Sequence, residues 1–321
     1  MDNVKARELT SLGTYVKKGK NGRDKIGVQQ YYIDIPSSLQ NLRYRKTVSC
    51  GDWKDCLQGC KEKKEGKNMS NKQVKLQHVA DASVLYHYTK SKGVNGILHS
   101  NCFWATKSDF LNDPKEFSYI ETIIREVCCE LIEEKSLCDM FLEDVLEENI
   151  LCGGGRSKEY FVLSFSNCRD SITMWSEFGN ETGYNIGFDS KRLIAHIEEN
   201  NTIEYHGLVL YEMEEQKKIV RRILNEGIPN EMQLSFSEII EAGAKNRDCE
   251  EYKKACRKFQ KITAIYAMFF KNSAFREEQE YRFIFKKKGT GLYREKDGFL
   301  IPYVQIQLTD KLLPIKEIVV A

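Results

Sequence analysis

The stretch YFVLSFS, residues 160–166, alternates bulky apolar side chains with smaller ones. Successive side chains on a strand point to opposite faces, so Phe161, Leu163 and Phe165 form one apolar face. Ser164 and Ser166 lie on the other face. This pattern predicts a strand that packs one face into a core and presents small, polar groups on the opposite face.

Two further stretches combine apolar and polar positions in the same way. In VLYHYT, residues 84–89, His87 lies on the face opposite Tyr86 and Tyr88. In EYRFIF, residues 280–285, Glu280 and Arg282 share a face opposite three aromatic residues. Because burying unpaired polar groups is costly, we expect the polar side chains of the three strands to surround one cleft.

Each of these side chains also has an ordinary structural interpretation. His87 can bond a backbone carbonyl, and Ser164 and Ser166 can be half-exposed strand residues. Glu280 and Arg282 can form a surface ion pair along their strand. The sequence leaves both interpretations open.

The segments around these strands mix helix and strand without regular alternation, which predicts an α+β fold. Further strands are expected at about 102–106, 183–188, 204–211, 299–307 and 316–320. Helices are expected at about 92–99, 138–149, 170–178, 213–226, 233–245 and 250–272. In LNDPKEF, Asp113, Pro114 and Glu116 fit a helix start, which predicts a long helix from Pro114 to about Lys135. Asn112 has no role in that cap and is available to reach the cleft.

Charge divides the chain into two parts. Of its 321 residues, 41% are hydrophobic and 30% charged, as in globular proteins. Residues 1–80 contain 17 Lys and Arg against 8 Asp and Glu, a balance of +9; the rest contains 32 against 39, a balance of −7. We therefore predict a small basic domain at 1–66, a linker at 67–83 and a larger domain at 84–321.

The basic domain is expected to be a β-β-β-α unit. TYVKKGKNGRDKIGVQQYYIDIP indicates two strands around a Gly/Asn turn, RYRKTVSC a third, and GDWKDCLQGCKEKKEG a short helix. The arrangement resembles the small arm-binding DNA modules of tyrosine recombinases, so nucleic acid is one expected partner. An ordinary basic capping domain is the alternative.

Several classes of site have no support in the sequence. The 11 cysteines show no paired zinc-ligand spacing, and no HExxH, GxSxG or GxGxxG pattern occurs, so we expect no metal, acyl-hydrolase or Rossmann site. The odd cysteine count and the absence of an N-terminal signal pattern predict reduced thiols in a cytoplasmic protein. No apolar run is long enough to predict a membrane-spanning helix.

Five segments in order resemble one bacterial family, known as domain of unknown function 2971. They are LYHYTKSKGVNGIL, LNDPKEF, YFVLSFSNCRDSITMWSEFG, GYNIGFD and FREEQEYRFIF, and the resemblance covers about residues 84–320. The family name implies no activity.

A remoter resemblance, to the ADP-ribosyltransferase fold, implies a function. A histidine on an early strand, a following GIL helix, Ser-x-Ser on a middle strand and glutamate on a late strand look like that fold, in which two small sheets enclose a cleft for NAD. The resemblance implies that His87 bonds a ribose hydroxyl of NAD and that Glu280 bonds the 2′-hydroxyl of the nicotinamide ribose. Ser164 and Ser166 would support the cleft wall, and Glu278 would orient an acceptor.

The remaining candidate residues follow from their chemistry. Arg282, on the strand face of Glu280, can keep that carboxylate ionised or contact pyrophosphate. Trp175 or Tyr88 can stack on an aromatic ring of the ligand. Tyr88 also departs from the fold's pattern, which often has a small residue after the histidine, and no counterpart of the tyrosine that stacks on nicotinamide is evident.

Two functional hypotheses result. The first is an NAD-using ADP-ribosyltransferase or NAD glycohydrolase, which the basic domain delivers to a protein or nucleic-acid acceptor. The second is a non-catalytic module that senses a nucleotide and binds nucleic acid. A role in phage defence or as a toxin fits either hypothesis, and the sequence does not distinguish these roles.

Overall fold

The computed structural model describes residues 7–9, 15–17, 74–81, 83–111, 118–146, 160–179, 182–287, 292–296, 298–309 and 312–321. Eleven strands in these ranges form one sheet, whose strand pairs are antiparallel, and helices pack on it. This mixture confirms the predicted α+β class.

The strands follow one another along the chain with these bounds: β1 Arg7–Leu9, β2 Tyr15–Lys17, β3 Val84–Lys90, β4 Cys102–Lys107, β5 Tyr160–Ser166, β6 Gly183–Asp189, β7 Tyr205–Leu208, β8 Glu280–Lys286, β9 Leu292–Lys296, β10 Phe299–Gln307 and β11 Ile315–Val320. Their order in the sheet is β2-β1-β11-β6-β3-β5-β4-β10-β9, and β8 pairs with both β5 and β7.

The helices are α1 Ser91–Ser100, α2 Tyr119–Leu131, α3 Lys135–Leu146, α4 Ile172–Met174, α5 Ser190–Asn200, α6 Met213–Arg222, α7 Ile228–Met232, α8 Phe236–Lys245 and α9 Glu250–Ala267. Two π-helical segments, Trp175–Gly179 and Ile223–Gly227, continue α4 and α6. A 3-10 helix, Ser273–Glu278, leads into β8.

The sheet divides along β5. One side of β5 pairs with β8 over its whole length. On the other side, β3 pairs with β5 at Tyr86 and Ser166, and β4 pairs with it at Thr106–Val162 and Lys107–Phe161. Between these contacts β3 and β4 separate beside Ser164, and we call this gap the seam. The seam separates the sheet into two halves.

The two faces of the sheet carry different cores. One face, here called the phenylalanine face, packs its strand residues against α1 and α5 and holds Phe103, Phe165 and Phe188. The opposite, glutamate face packs Val162 and Ile284 against a bundle that includes α2, α3, α6, α8 and α9. Paired residues of neighbouring strands share a face, so Ser166 and Glu280 both lie on the glutamate face.

Several predicted elements match the structure closely. The strands expected at 160–166, 280–286 and 299–307 have these bounds in the structure. Alternation of large apolar residues with small or polar ones was a sufficient signal for 160–166 and 280–286, because these two strands pair along their length and bury their aromatic face.

Other expectations need correction. The long helix predicted from Pro114 to Lys135 is instead α2, Tyr119–Leu131, and a second helix begins at Lys135. Its expected cap at 112–117 lies outside the described residues. Helix α5 and strand β9 were not predicted. The signal for α5 was Asp189, whose side chain accepts a hydrogen bond from the Arg192 backbone and caps the helix.

The N-terminal expectations are tested only in small part. Of the predicted β-β-β-α unit, the structure describes β2, which falls in the first predicted strand; β1 lies before that strand, was not predicted and pairs with β2. Arg7 also pairs with Val320 of β11. Residues 74–81, from the predicted linker, lie against β7, where the Leu208 backbone N–H donates to the Gln77 carbonyl at 2.8 Å.

Candidate active site

A cluster of four buried charged residues lies at the start of β8. We call Lys271, Glu278, Glu280 and Arg282 the Glu280 cluster; each is no more than 7% exposed. The Lys271 ammonium lies 2.6 Å from Oε2 of Glu278 and 3.4 Å from Oε2 of Glu280. The Arg282 guanidinium lies 2.5 Å from the same Glu280 oxygen. Two cations therefore neutralise two carboxylates in a site largely closed to water.

The backbone places both glutamates at Lys271. The 3-10 helix ends at Glu278, and Gln279 adopts a left-handed conformation, with φ of 44° and ψ of 50°, before β8 begins at Glu280. A non-glycine residue in this region is strained, and such strain occurs often at functional sites. The Asn167 N–H donates to the Gln279 carbonyl at 2.8 Å and helps to hold this turn.

The two carboxyl groups of the cluster differ in acidity. Burial alone would raise the pKa of Glu280, but the charges of Arg282 and Lys271 outweigh it and hold that pKa well below its usual range. Burial and the neighbouring charge of Glu280 raise the pKa of Glu278 to about 7, against the opposing charge of Lys271. Near pH 7 the site therefore contains one fixed carboxylate and one carboxyl that can take or give a proton.

Neighbouring hydroxyl groups hold the cluster in place. The Ser166 hydroxyl donates to the Glu278 carbonyl at 2.7 Å, and a hydrogen bond from the Ser164 side chain helps to lower the pKa of Glu280. The Tyr211 hydroxyl accepts the Glu280 backbone N–H at 3.0 Å. The Arg282 guanidinium also donates to the Met268 carbonyl at 2.8 Å. The cluster is thus a connected hydrogen-bonded network rather than a surface ion pair.

Tyr88 and Trp175 pack on each other on the glutamate face. Their rings lie 4.8 Å apart, edge to face, and both side chains are buried. The Tyr88 hydroxyl donates to the Cys168 carbonyl at 2.8 Å and accepts the Ser171 N–H at 3.0 Å. The Ser171 hydroxyl in turn donates to the Glu277 carbonyl. In this structure the two aromatic residues pack on each other and anchor the loop after β5.

His87 lies on the other face of the sheet. Its ring packs 5.3 Å from Phe103 and 5.4 Å from Phe165, on the phenylalanine face. Its Nδ1 lies 3.3 Å from the Ser164 carbonyl, at the seam. Burial lowers the pKa of His87 to about 4, and the positive charge of Arg294 adds to the effect. The expectation that His87 faces the same cleft as Glu280 is therefore wrong.

The structure brings together most of the other predicted site residues. Arg282 contacts Glu280 directly, and Lys271 links Glu280 to Glu278. Ser164 bonds the Glu280 side chain and Ser166 bonds the Glu278 carbonyl. Tyr88 and Trp175 lie on the same sheet face but contact each other. Asn112 lies outside the described residues.

Sequence reasoning missed Lys271 and Tyr211. Lys271 was signalled by a lone charge directly after the apolar run AIYAMFF, shortly after the long helix that ends at Ala267. Tyr211 carried no such signal, because a tyrosine after an apolar strand is common. Its role depends on the contact of its hydroxyl with the Glu280 backbone.

The part of the chain that the structure describes shows neither a metal site nor a membrane-spanning helix. No group of three or more His, Cys, Asp or Glu side chains there could hold a metal ion. Across the same residues, no helix is both long and apolar enough to cross a membrane.

Comparison with known families supports part of the resemblance seen in the sequence. Residues 174–283 match the model of a family described as a protein of unknown function, DUF2971. The match covers about a third of the chain and includes Trp175 and the whole Glu280 cluster, but not His87 or the Ser164–Ser166 pair. No curated protein and no solved structure gives a significant match.

Proposed function

We propose that the Glu280 cluster cleaves the bond between nicotinamide and ribose in NAD and passes the ADP-ribose to water or to another acceptor. The observation that carries this proposal is the pair of buried carboxyl groups, Glu278 and Glu280, whose pKa values are driven in opposite directions. Two carboxyl groups separated in this way can divide the work of charge stabilisation and proton transfer.

Glu280 suits the stabilising role. Cleavage gives the ribose carbon an oxocarbenium character, and a fixed carboxylate beside it lowers the energy of that state. The ion pairs with Lys271 and Arg282 both meet Glu280 at Oε2. A ribose hydroxyl of the substrate would bond the same carboxylate beside the Ser164 side chain, which also hydrogen-bonds Glu280.

Glu278 suits the proton-transfer role. As the N-glycosidic bond breaks, its electron pair leaves with nicotinamide, which becomes neutral. The acceptor oxygen forms the new bond to the ribose carbon, and its proton goes to Glu278. A carboxyl with a pKa of about 7 is matched to this task near neutral pH.

The sheet geometry gives further support. The ADP-ribosyltransferase resemblance implies two small sheets around a cleft, and here the seam separates two halves of the sheet beside Ser164. His87 lies on the phenylalanine face, whereas the resemblance implies a histidine that faces the NAD cleft. Since His87 bonds the Ser164 backbone, it would act on the substrate only from within the seam.

The test is nicotinamide release from NAD by the purified full-length protein and two variants. We expect Glu280→Gln to lower the rate about a hundredfold or more, because charge stabilisation is lost. We expect Glu278→Gln to lower it about a hundredfold, through loss of the general base. Glu277→Gln is the matched control, since Glu277 is an exposed neighbour, and should retain the wild-type rate.

Folding must be checked because Glu280 is structural as well. Gln keeps its shape but leaves Arg282 buried without a full counter-charge, which is destabilising. Thermal unfolding of each variant therefore accompanies the rate measurement, at a temperature where all are folded. Wild-type rates in folded Glu280→Gln would contradict the proposal. Mass spectrometry of the products distinguishes free ADP-ribose from a modified acceptor.

A second candidate function is nucleotide sensing without turnover. The observation that favours it is the ion pairing of Glu280, which both Lys271 and Arg282 already contact. NAD that binds to the wild-type protein, with no nicotinamide released, would support this function over catalysis.

A further inference from the structure

Among the described residues, Arg294 on β9 has no anionic partner. Its Nη2 donates to the Thr106 hydroxyl at 2.8 Å. Its Nε is buried and has no hydrogen-bond partner, and across the described ranges no carboxylate pairs with Arg294. Burial lowers the pKa of Arg294, which shows that its charge is partly removed from water. A partly desolvated, oriented cation of this kind is suited to an incoming anion.

An exposed aromatic surface lies beside this cation. The guanidinium carbon of Arg294 lies 5.9 Å from the centre of the Trp104 ring. Trp104 is 45% exposed, although it packs 4.5 Å from the Tyr303 ring at an angle of 32°. An aromatic surface next to an arginine is suited to a planar base that carries phosphate.

This surface lies on the glutamate face. Thr106 pairs with Val162 of β5, and paired residues share a face, so Trp104 and Thr106 lie on the same side of the sheet as Arg282. Two strand spacings separate Trp104 from Arg282, at least about 10 Å. Trp104 lies where β4 separates from β5, at the edge of the seam, and Arg294 lies beside it. One extended ligand could therefore contact both places.

We propose that Trp104, Thr106 and Arg294 form a nucleotide site, in which a base stacks on Trp104 and its phosphates bind Arg294, with Thr106 orienting the guanidinium. The assignment of this nucleotide as the ADP half of NAD rests on the function proposed above. The same chemistry would also bind free ADP as an effector, and the experiment distinguishes the two sources.

The test is calorimetric titration of the full-length protein with ADP, AMP and adenosine. We expect affinity to fall in that order, because each step removes a phosphate from Arg294. Arg294→Gln should weaken ADP binding about tenfold or more and bring it close to that of adenosine. Trp104→Ala should weaken all three ligands, and Trp104→Phe should weaken them less. Arg221→Gln, at a surface ion pair on α6, is the control and should bind as wild type.

A second variant guards against misfolding of Arg294→Gln. Thr106→Val removes the hydroxyl that orients Arg294 and keeps the charge, so it should weaken ADP and leave adenosine unchanged. Unchanged ADP affinity in both variants, or no ADP binding by the wild type, would overturn the site.

The NAD assay separates this inference from the proposed function. If Arg294→Gln raises the KM for NAD and keeps kcat, the nucleotide is part of the substrate. Turnover with an unchanged KM would remove the assignment to NAD and leave the proposed function in place. Loss of ADP binding in Arg294→Gln, in a protein that never releases nicotinamide, would retain the site as an effector site and reject the proposed function.

Discussion

At the scale of single residues, each buried charge of the Glu280 cluster has to be offset by an opposite charge and by hydrogen bonds. Arg282 is 1% exposed, and a charge so deeply buried is tolerated only when it is paired and hydrogen-bonded. Glu280 and the Met268 carbonyl supply that pairing. Glu278 is less well compensated, because Lys271 divides its contact between two carboxylates. The stability of the protein should therefore respond to the ionisation of Glu278.

Glu278→Gln should change how stability varies with pH. The folded-state pKa of Glu278 is about 7, above its ordinary value of 4.5. Between these values the folded protein holds a proton that the unfolded chain releases, so ionisation lowers wild-type stability as pH rises from about 4.5 to 7. The variant lacks this slope. We expect its free energy of unfolding, relative to wild type, to rise across that window in urea titrations.

Two buried histidines change stability with pH in the opposite direction to Glu278, and their contribution has to be separated from that of Glu278. Burial lowers the pKa of His87 and His206 to about 4, so their contribution to stability is lost as pH falls from about 6.5 to 4. Both proteins contain them, so they cancel in the difference. A constant difference between Glu278→Gln and wild type from pH 4.5 to 7 would contradict the assignment. Glu277→Gln should show no change in slope.

The residue scale also shows what the sequence predicts well. Alternation along β5 and β8 identified the two serines, Glu280 and Arg282, because period-two patterns report directly on which side chains share a face. It could not place His87, because the face that His87 occupies depends on the register of β3 against β5, in which Tyr86 pairs with Ser166. Partners such as Lys271 depend on tertiary contacts between elements distant along the chain.

At the scale of elements, helix α8 packs very closely on α9. A Cβ atom built on Gly243 of α8 would lie 2.5 Å from ring carbons of Tyr252. Tyr252 is 1% exposed, and its hydroxyl donates to Asp144 on α3 at 2.7 Å. The ring therefore has little room to move, and the absence of a side chain at Gly243 sets the distance between the two helices.

Gly243→Ala should destabilise the protein although alanine favours helix. The helix-propensity gain is about 1 kcal/mol, and overpacking a core contact costs about 1–3 kcal/mol. We expect a net loss, measured by chemical denaturation. Gly96→Ala in α1 is the matched control, because nothing lies within 4 Å of the added Cβ there. That variant should be more stable by up to about 1 kcal/mol. Equal gains in both variants would show that α8 and α9 are not in tight contact.

At this scale, sequence patterns predicted the strands that pair along their whole length and the longest helix, but not the edge strand β9 or helix α5. Strand β9 pairs on one side with β10 and exposes Leu292 and Tyr293, so its sequence lacks a clear buried face. Helix α5 was missed between two strands, although it buries Leu193 and Ile197. Strand β9 has only 5 residues, whereas α5 has 11 and follows β6 directly, without a break in the chain that would mark its start.

At the scale of the whole molecule, the first 80 residues carry a net positive charge and the remaining residues a net negative charge. Residues 1–80 carry +9 and the remainder −7, with 17 Lys and Arg in the first part. If nucleic acid binds, its negative charge would be attracted to the basic first part of the chain and repelled by the acidic remainder. We propose that a nucleic-acid partner would contact the basic residues within 1–66.

If this region binds nucleic acid, affinity should depend steeply on salt and on its arginines. We expect the logarithm of the binding constant for a fluorescent DNA duplex to fall linearly with the logarithm of the salt concentration. The reason is that contacts between the full-length protein and phosphates release counterions. Arg43→Gln with Arg45→Gln should weaken binding for every sequence and reduce the slope by about 1 for each phosphate that is no longer neutralised. Arg247→Gln, at an ion pair on the acidic part of the chain, should leave the slope unchanged. A slope equal in all three proteins would assign the basic residues to capping the fold, and any nucleic-acid acceptor would then have to approach through the larger domain.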